Sequence, residues 1–179
     1  NDFVTGYQYS AVKNTSNAVT SIKLKFTPKA VGAAQNNGFA IELPVATSNV
    51  DVANMTGATL ENASASNPVI VVYNNVRSAF NNASGYINTV QGGSQITSTS
   101  MEITVPLLTP VAETKVPFAA FNPFLIVNQQ RSHEIHLVDY APTAQADLTL
   151  FGSTSVEKSD PSKGIYYRMD NIYPWAIDV

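Results

Sequence analysis

With 179 residues, 44% of them hydrophobic, the chain can bury a full core as one domain without metals or disulfides, which excludes a disordered segment. Charged residues make up only 13%, about half the usual share, and a net charge of -3 with no basic run excludes a nucleic-acid binder that tracks phosphates. The absence of cysteine removes disulfides, thiol catalysis, thiolate zinc and iron–sulfur sites together.

Asn, Ser, Thr and Ala replace the missing charges, as is common in exported β-proteins. No apolar run approaches the ~18 residues of a spanning helix, so no transmembrane segment is expected. The chain opens at Asn1 inside a strand-like stretch, without Met or a signal-peptide pattern. This reads as a fragment of a longer exported protein whose targeting signal lies upstream.

In chain order, Phe3, Thr5, Tyr7 and Tyr9 form one face of an aromatic first strand. A turn at Asn14–Asn17 follows. From Thr20 to Phe26 the alternation is strict: Ile22, Leu24 and Phe26 face one way, Lys23 and Lys25 the other. Pro28 is expected to break that strand. After a Gly- and Asn-rich turn, Phe39, Ile41 and Leu43 repeat the pattern with Glu42 outward, and Pro44 stops it. Between Ala46 and Ser100 the chain is looser. Val69–Tyr73 is apolar on both faces and reads as an interior strand. Val76–Phe80 reads as one short helical turn, and Gly92–Ser100 as a flexible loop leading to an alternating strand at Ile103, Val105 and Leu107.

From Pro106 onward prolines punctuate short segments and no helical period persists. Only Phe124–Val127, Glu134–Leu137 and Leu148–Phe151 look like ordered elements, with Tyr140, Phe151, Tyr166, Tyr167, Tyr173 and Trp175 among the turns. The expected fold is all-β: one domain over 1–179, an antiparallel sandwich or jelly roll with a proline- and aromatic-rich, loop-dominated C-terminal segment.

Five blocks carry a family resemblance. FNPFLIVNQQRSHEIHLVDYAPT (Phe121–Thr143), ADLTLFGS (Ala146–Ser153) and GIYYRMDNIYPWAI (Gly164–Ile177) lie in the last third. NDFVTGYQY (Asn1–Tyr9) and KAVGAAQNNGFAIELP (Lys29–Pro44) lie near the start. Together they resemble the LruC-domain family, whose first block ends an acidic and aromatic opening. Val138 and Ala141 depart from it, standing where the family usually has prolines around its Asp-Tyr pair. The resemblance implies a C-terminal domain of unknown function in exported or surface proteins of Gram-negative bacteria. The location implied is extracytoplasmic: cell surface, outer-membrane-associated or periplasmic. It supplies no reaction.

His133 and His136 invite a zinc reading, but zincin helices space their histidines four apart with a Glu between. Here the spacing is three, and the alternation of Ile135 and Leu137 is that of a strand, which would send the two rings to opposite faces. Glu134 and His136 would instead share a face, with Arg131 and Asp139 joining from the flanks. That cluster is either a buried charged network or a polar ligand clamp. Asp2, Asp139 and Asp147, with Asp160 and Asp170, offer oxygens for calcium, although no EF-hand spacing exists.

No G-x-S-x-G elbow and no phosphate-cradling glycine loop appears, so no catalytic residue is assigned. The leading expectation is a non-catalytic exported domain, structural or ligand-presenting, with no cofactor in this stretch and upstream domains, a glycan or a surface protein as partners. Carbohydrate recognition through Tyr140, Tyr166, Tyr167, Tyr173 and Trp175 is the alternative, since flat rings stack on sugar faces. A glycan-directed hydrolase with two carboxylates across a cleft is the third reading. The sequons at Asn14, Asn54, Asn62 and Asn82 are expected by chance in so Asn- and Ser-rich a chain.

Overall fold

The alternating segments form two antiparallel sheets packed face to face in a computed structural model that describes residues 2–62, 64–153, 157–169 and 174–178. β1 (Val4–Lys13), β2 (Ala18–Ala30) and β6 (Met101–Ala112) make a three-stranded sheet in the order β1-β2-β6. β3 (Gly38–Glu42), β4 (Thr59–Leu60), β5 (Val69–Tyr73), β7 (Asn122–Ile126) and β8 (Glu134–His136) make a five-stranded one in the order β4-β5-β3-β7-β8. The chain crosses between the sheets after β2, β5 and β6, a jelly-roll-like exchange within an all-β sandwich.

The core lies between the sheets and follows the alternation. Ile22, Leu24 and Phe26 of β2 and Ile103, Val105 and Leu107 of β6 meet Phe39 and Ile41 of β3 and Ile70 and Val72 of β5. Each fully buried side chain of this size stabilises the fold by roughly 1.5–3 kcal/mol. Tyr9 of β1 extends the core outward, its ring packed 5.0 Å from Phe121 and 6.0 Å from Phe26.

The Asn14–Asn17 turn forms as expected, with Asn14 Oδ1 accepting from the backbone N–H of Ser16 and Ala18 and Asn17 in the left-handed region. Val76–Phe80 is a single 3-10 turn, capped by Asn75.

Pro28 corrects the sequence reading, because β2 runs through it to Ala30 and pairs it with Thr5. The Pro28 carbonyl accepts from Ser98 Oγ at 2.6 Å, on the side where β6 lies. Nitrogen and carbonyl of one strand residue point to the same side. The missing N–H therefore faces a place β6 has not reached, since β6 begins opposite Phe26. Pro106 uses the same device: its carbonyl accepts from Asp51 N, so its nitrogen faces the outer edge of β6. Gly92–Ser100 carries neither strand nor helix, and Thr99 N donates to the Ala79 carbonyl at 2.8 Å.

The outer face of the five-stranded sheet is covered as well. Ala40, Val69, Phe124 and Ile126 form a second apolar cluster there, with Val71 against it. Beyond β8 the described chain makes only 3-10 turns and isolated bridges, and it lies over this face. Among the described residues, no helix is long and apolar enough to cross a membrane.

Candidate functional site

The strongest concentration of charged side chains stands on that covered face. β8 alternates as its sequence implies: Glu134 and His136 turn to the outer face and are buried, while Ile135 turns the other way. His136 pairs across the ladder with Phe124, and their rings stack at 4.4 Å with 12° between planes. Tyr167 stacks against the far side of the cluster, 5.2 Å from His136, and Phe151 meets Tyr167 edge-on at 5.1 Å. These four rings tie the C-terminal segment to the sheet.

Hydrogen bonds surround the Glu134 carboxylate. Thr143 N donates to Oε2 at 2.8 Å, Thr143 Oγ1 and Arg131 Nη1 donate to Oε1, and His136 Nε2 lies 2.8 Å from Oε2. Arg131 lies over the Phe124 ring, its central carbon 5.2 Å from the centroid. It bridges in two points to Glu61, just past β4, through Nε and through Nη2 at 2.8 Å. One guanidinium thus joins Glu134 on the last strand of the sheet to Glu61 beside the first. Burial opposes ionisation of Glu134, but the donors from His136, Thr143 and Arg131 outweigh it and bring its pKa to about 2.

The His136 ring has an acceptor on each side. Asn122 Nδ2 donates to the Ala141 carbonyl at 3.0 Å and to Glu42 Oε2 at 3.3 Å, so Asn122 Oδ1 is left to accept from His136 Nδ1 at 2.6 Å. With Nδ1 carrying a proton, the Nε2···Oε2 contact requires a second one. Burial pulls the ring below its ordinary pKa and Glu134 pulls it back. The hydrogen-bond geometry decides between them: the proton is held by the His136–Glu134 pair as a unit.

Of the residues singled out from sequence, Arg131, Glu134 and His136 converge, and Asp139 does not join them. Its carboxylate takes Arg168 in two points, with Nε at 2.9 Å, on an exposed turn. His133 is half-buried and precedes β8. Asp147 caps the 3-10 turn Leu148–Leu150, accepting from Thr149 N at 2.9 Å and Thr149 Oγ1 at 2.6 Å, and Asp160 caps Pro161–Lys163. Asp2 is exposed and contributes its carbonyl to Gly32 N. The carboxylates of Asp139, Asp147 and Asp160 are therefore engaged separately, and among the described residues no group of three or more His, Asp or Glu is arranged for a metal. Asp170 and Tyr173 lie outside the described residues.

Two openings flank the network, with its members Glu42 and Asn122 lining one and Glu134 among the residues lining the other. One is a cleft of about 380 Å³ lined by Glu42, Pro44, Asn67, Asn122, Asp139 and Tyr140. The other, of about 130 Å³, is lined by Leu150, Phe151, Glu157, Tyr167 and Trp175 among others. Tyr140 and Trp175, paired in the sugar-binding expectation, thus belong to different openings. The Tyr140 hydroxyl donates to the Ala119 carbonyl, and Trp175 is 45% exposed.

Glu42, Glu61, Asn122 and Thr143 were not anticipated as site residues. Glu42 reads as an outward charge in an amphipathic strand, yet its outer face is itself covered, so it is half-buried. Asn122 shares the parity of Phe124 and Ile126, which is its one sequence signal. Glu61 carries none.

Fold and geometry together define a mainly β, two-sheet domain with a third layer built by its own C-terminal segment. The chain belongs to a family described as a domain of unknown function (DUF4842), whose model matches residues 17–179 and so takes in β2 to β8. No curated protein and no solved structure matches it.

Proposed function

We propose that this chain is a non-catalytic domain of an exported or cell-surface protein of a Gram-negative bacterium, of the LruC-domain type, serving as a structural or ligand-presenting module. The observation that carries this reading is the mutual pairing of its main charged cluster around a buried Glu134 and His136. Arg131, Glu61, Glu134, His136 and Asn122 are hydrogen-bonded to one another, and both the Glu134 and His136 side chains are closed to solvent. Such a network holds a loop-rich layer on a sheet, and its Glu134 and His136 side chains are engaged there rather than presented to a substrate. The low charge and the resemblance of Phe121–Thr143 support the extracytoplasmic placement. The test is labelling of intact cells by antibody to this domain, alongside fractionation. Signal on intact cells or in the periplasmic or outer-membrane fraction is expected, and recovery in the cytoplasm would overturn the placement.

The second reading is carbohydrate recognition. It is favoured by Tyr140 and Trp175, each at the margin of an opening in the outer layer. Loss of glycan binding on removing either ring, with the fold intact, would support it.

A further inference from the structure

We propose that the cleft between the end of β3, the start of β7 and the Asp139–Ala141 turn binds one or two rings of a neutral, hydroxyl-rich sugar, with Glu42 and Asn122 as its polar floor and Tyr140 as its aromatic wall. This rests on the carbohydrate reading above and assigns it to one of the two openings.

Size is the first argument. At about 380 Å³ the cleft falls within the ~300–1,000 Å³ of small-ligand sites, whereas the Trp175 opening, at about 130 Å³, holds the volume of roughly four waters.

The lining chemistry is the second. Carboxylates at Glu42 and Asp139, amides at Asn67 and Asn122 and the Tyr140 ring line the cleft, with no Lys, Arg or His among its lining residues. An anionic ligand would meet no cation on these walls. A cationic ligand is also disfavoured. Asp139 is already neutralised by Arg168, and burial of Glu42, only partly offset by its Asn122 hydrogen bond, disfavours the charged carboxylate. What remains is a ligand rich in hydroxyl donors and acceptors.

The third argument is an incomplete hydrogen-bond set on a rigid support. Glu42 Oε2 accepts one long bond, 3.3 Å, from Asn122, and among the described residues no protein donor reaches Oε1. Asn122 is immobilised behind it by His136 and the Ala141 carbonyl, and Tyr140 by the Ala119 carbonyl. A half-buried acceptor lacking donors, beside a fixed amide and a fixed ring, is suited to take a sugar hydroxyl while the ring packs on the C–H face.

The experiment uses the full chain on a printed array of neutral glucose-, galactose-, mannose- and N-acetylglucosamine-based oligosaccharides together with sialylated and sulfated ones, followed by calorimetric titration of the best hit. Wild type, Glu42→Gln, Tyr140→Ala and Trp175→Ala are compared, each checked for an unchanged melting midpoint. Glu42→Gln retains an acceptor for Asn122, so it decides the matter if Tyr140→Ala fails to fold. The expected result is a neutral glycan hit weakened at least tenfold by Glu42→Gln and by Tyr140→Ala and unaffected by Trp175→Ala. Binding that survives at Glu42 and is lost at Trp175 would overturn the cleft and leave the carbohydrate reading standing. So would selectivity for sialylated or sulfated glycans. No hit of any kind overturns both.

Discussion

Glu134 and His136 leave β8 on the same face and meet edge to edge, Oε2 and Nε2 2.8 Å apart, with neither side chain reaching solvent. A period of two places them together, and the outer layer closes over them. The pair is the midpoint of a chain of contacts running from Glu42 through Asn122, His136 and Glu134 to Arg131 and Glu61. Its two ends touch different parts of the sheet, so the network fixes the outer layer relative to both β3 and β4.

Removing Arg131 leaves a buried carboxylate without its cation. Arg131→Ala is expected to cost about 3–5 kcal/mol by urea titration, the range for breaking one side of a buried pair. Arg131→Lys does not restore it, because a single ammonium cannot reproduce the two-point contact with Glu61 while also reaching Glu134. A double-mutant cycle with Glu61→Ala should show strong coupling. Additive losses would mean that the two side chains act independently.

Acid should open the outer layer through Glu134. Its folded pKa of about 2 lies below the ordinary 4.5, so its contribution is fully present above pH 4.5 and is lost as the pH falls through about 2. The loss is on the order of 2–3 kcal/mol. Urea midpoints measured between pH 5 and pH 2 should fall more steeply for the wild type than for Glu134→Gln, which cannot titrate. Parallel slopes would contradict the assignment.

The sheets were legible because β2 and β6 each have one face in the core and show it as strict alternation. β5 was legible for the opposite reason, being apolar on both faces because the sandwich covers one and the C-terminal layer the other. The site was only half legible. Strand parity at β8 brought Glu134 and His136 together, and Arg131 lies close enough in sequence to join them. Glu61 is 70 residues from Arg131, and no local pattern announces a partner at that separation. Asp139 was drawn elsewhere by Arg168, which competes for it from a turn with no regular period. The same lack of periodicity hid the split between Tyr140 and Trp175.

Arg77 is a second fixed point, bonded apart from that network. It is 6% exposed and donates only to backbone carbonyls: Ala33 at 2.7 Å through Nη2, and Gly85 at 2.6 Å and Ala83 at 3.2 Å through Nη1. Three carbonyls on two loops depend on it. Arg77→Met keeps the packing of the stem but orphans them, and each lost charge-assisted bond is worth about 1.5–3 kcal/mol before relaxation. A loss of at least about 2 kcal/mol is expected by urea titration, with faster amide exchange at residues 83–87 marking the released loop.

Gly57 and Gly85 separate backbone strain from steric contact. Both have positive φ, +87° and +71°, where an L side chain costs roughly 1–2 kcal/mol. At Gly85 an added Cβ meets open space, so Gly85→Ala should show that cost alone. At Gly57 the same atom would lie 2.0 Å from the Glu102 carbonyl oxygen, because this turn backs directly onto β6 through the Thr56–Thr104 bridge. Backbone on both sides of the contact cannot swing aside as a side chain would. Gly57→Ala must therefore push the turn off β6, and its loss in thermal or urea unfolding should exceed that of Gly85→Ala by a clear margin. Equal losses would show that the turn moves away from β6 without cost.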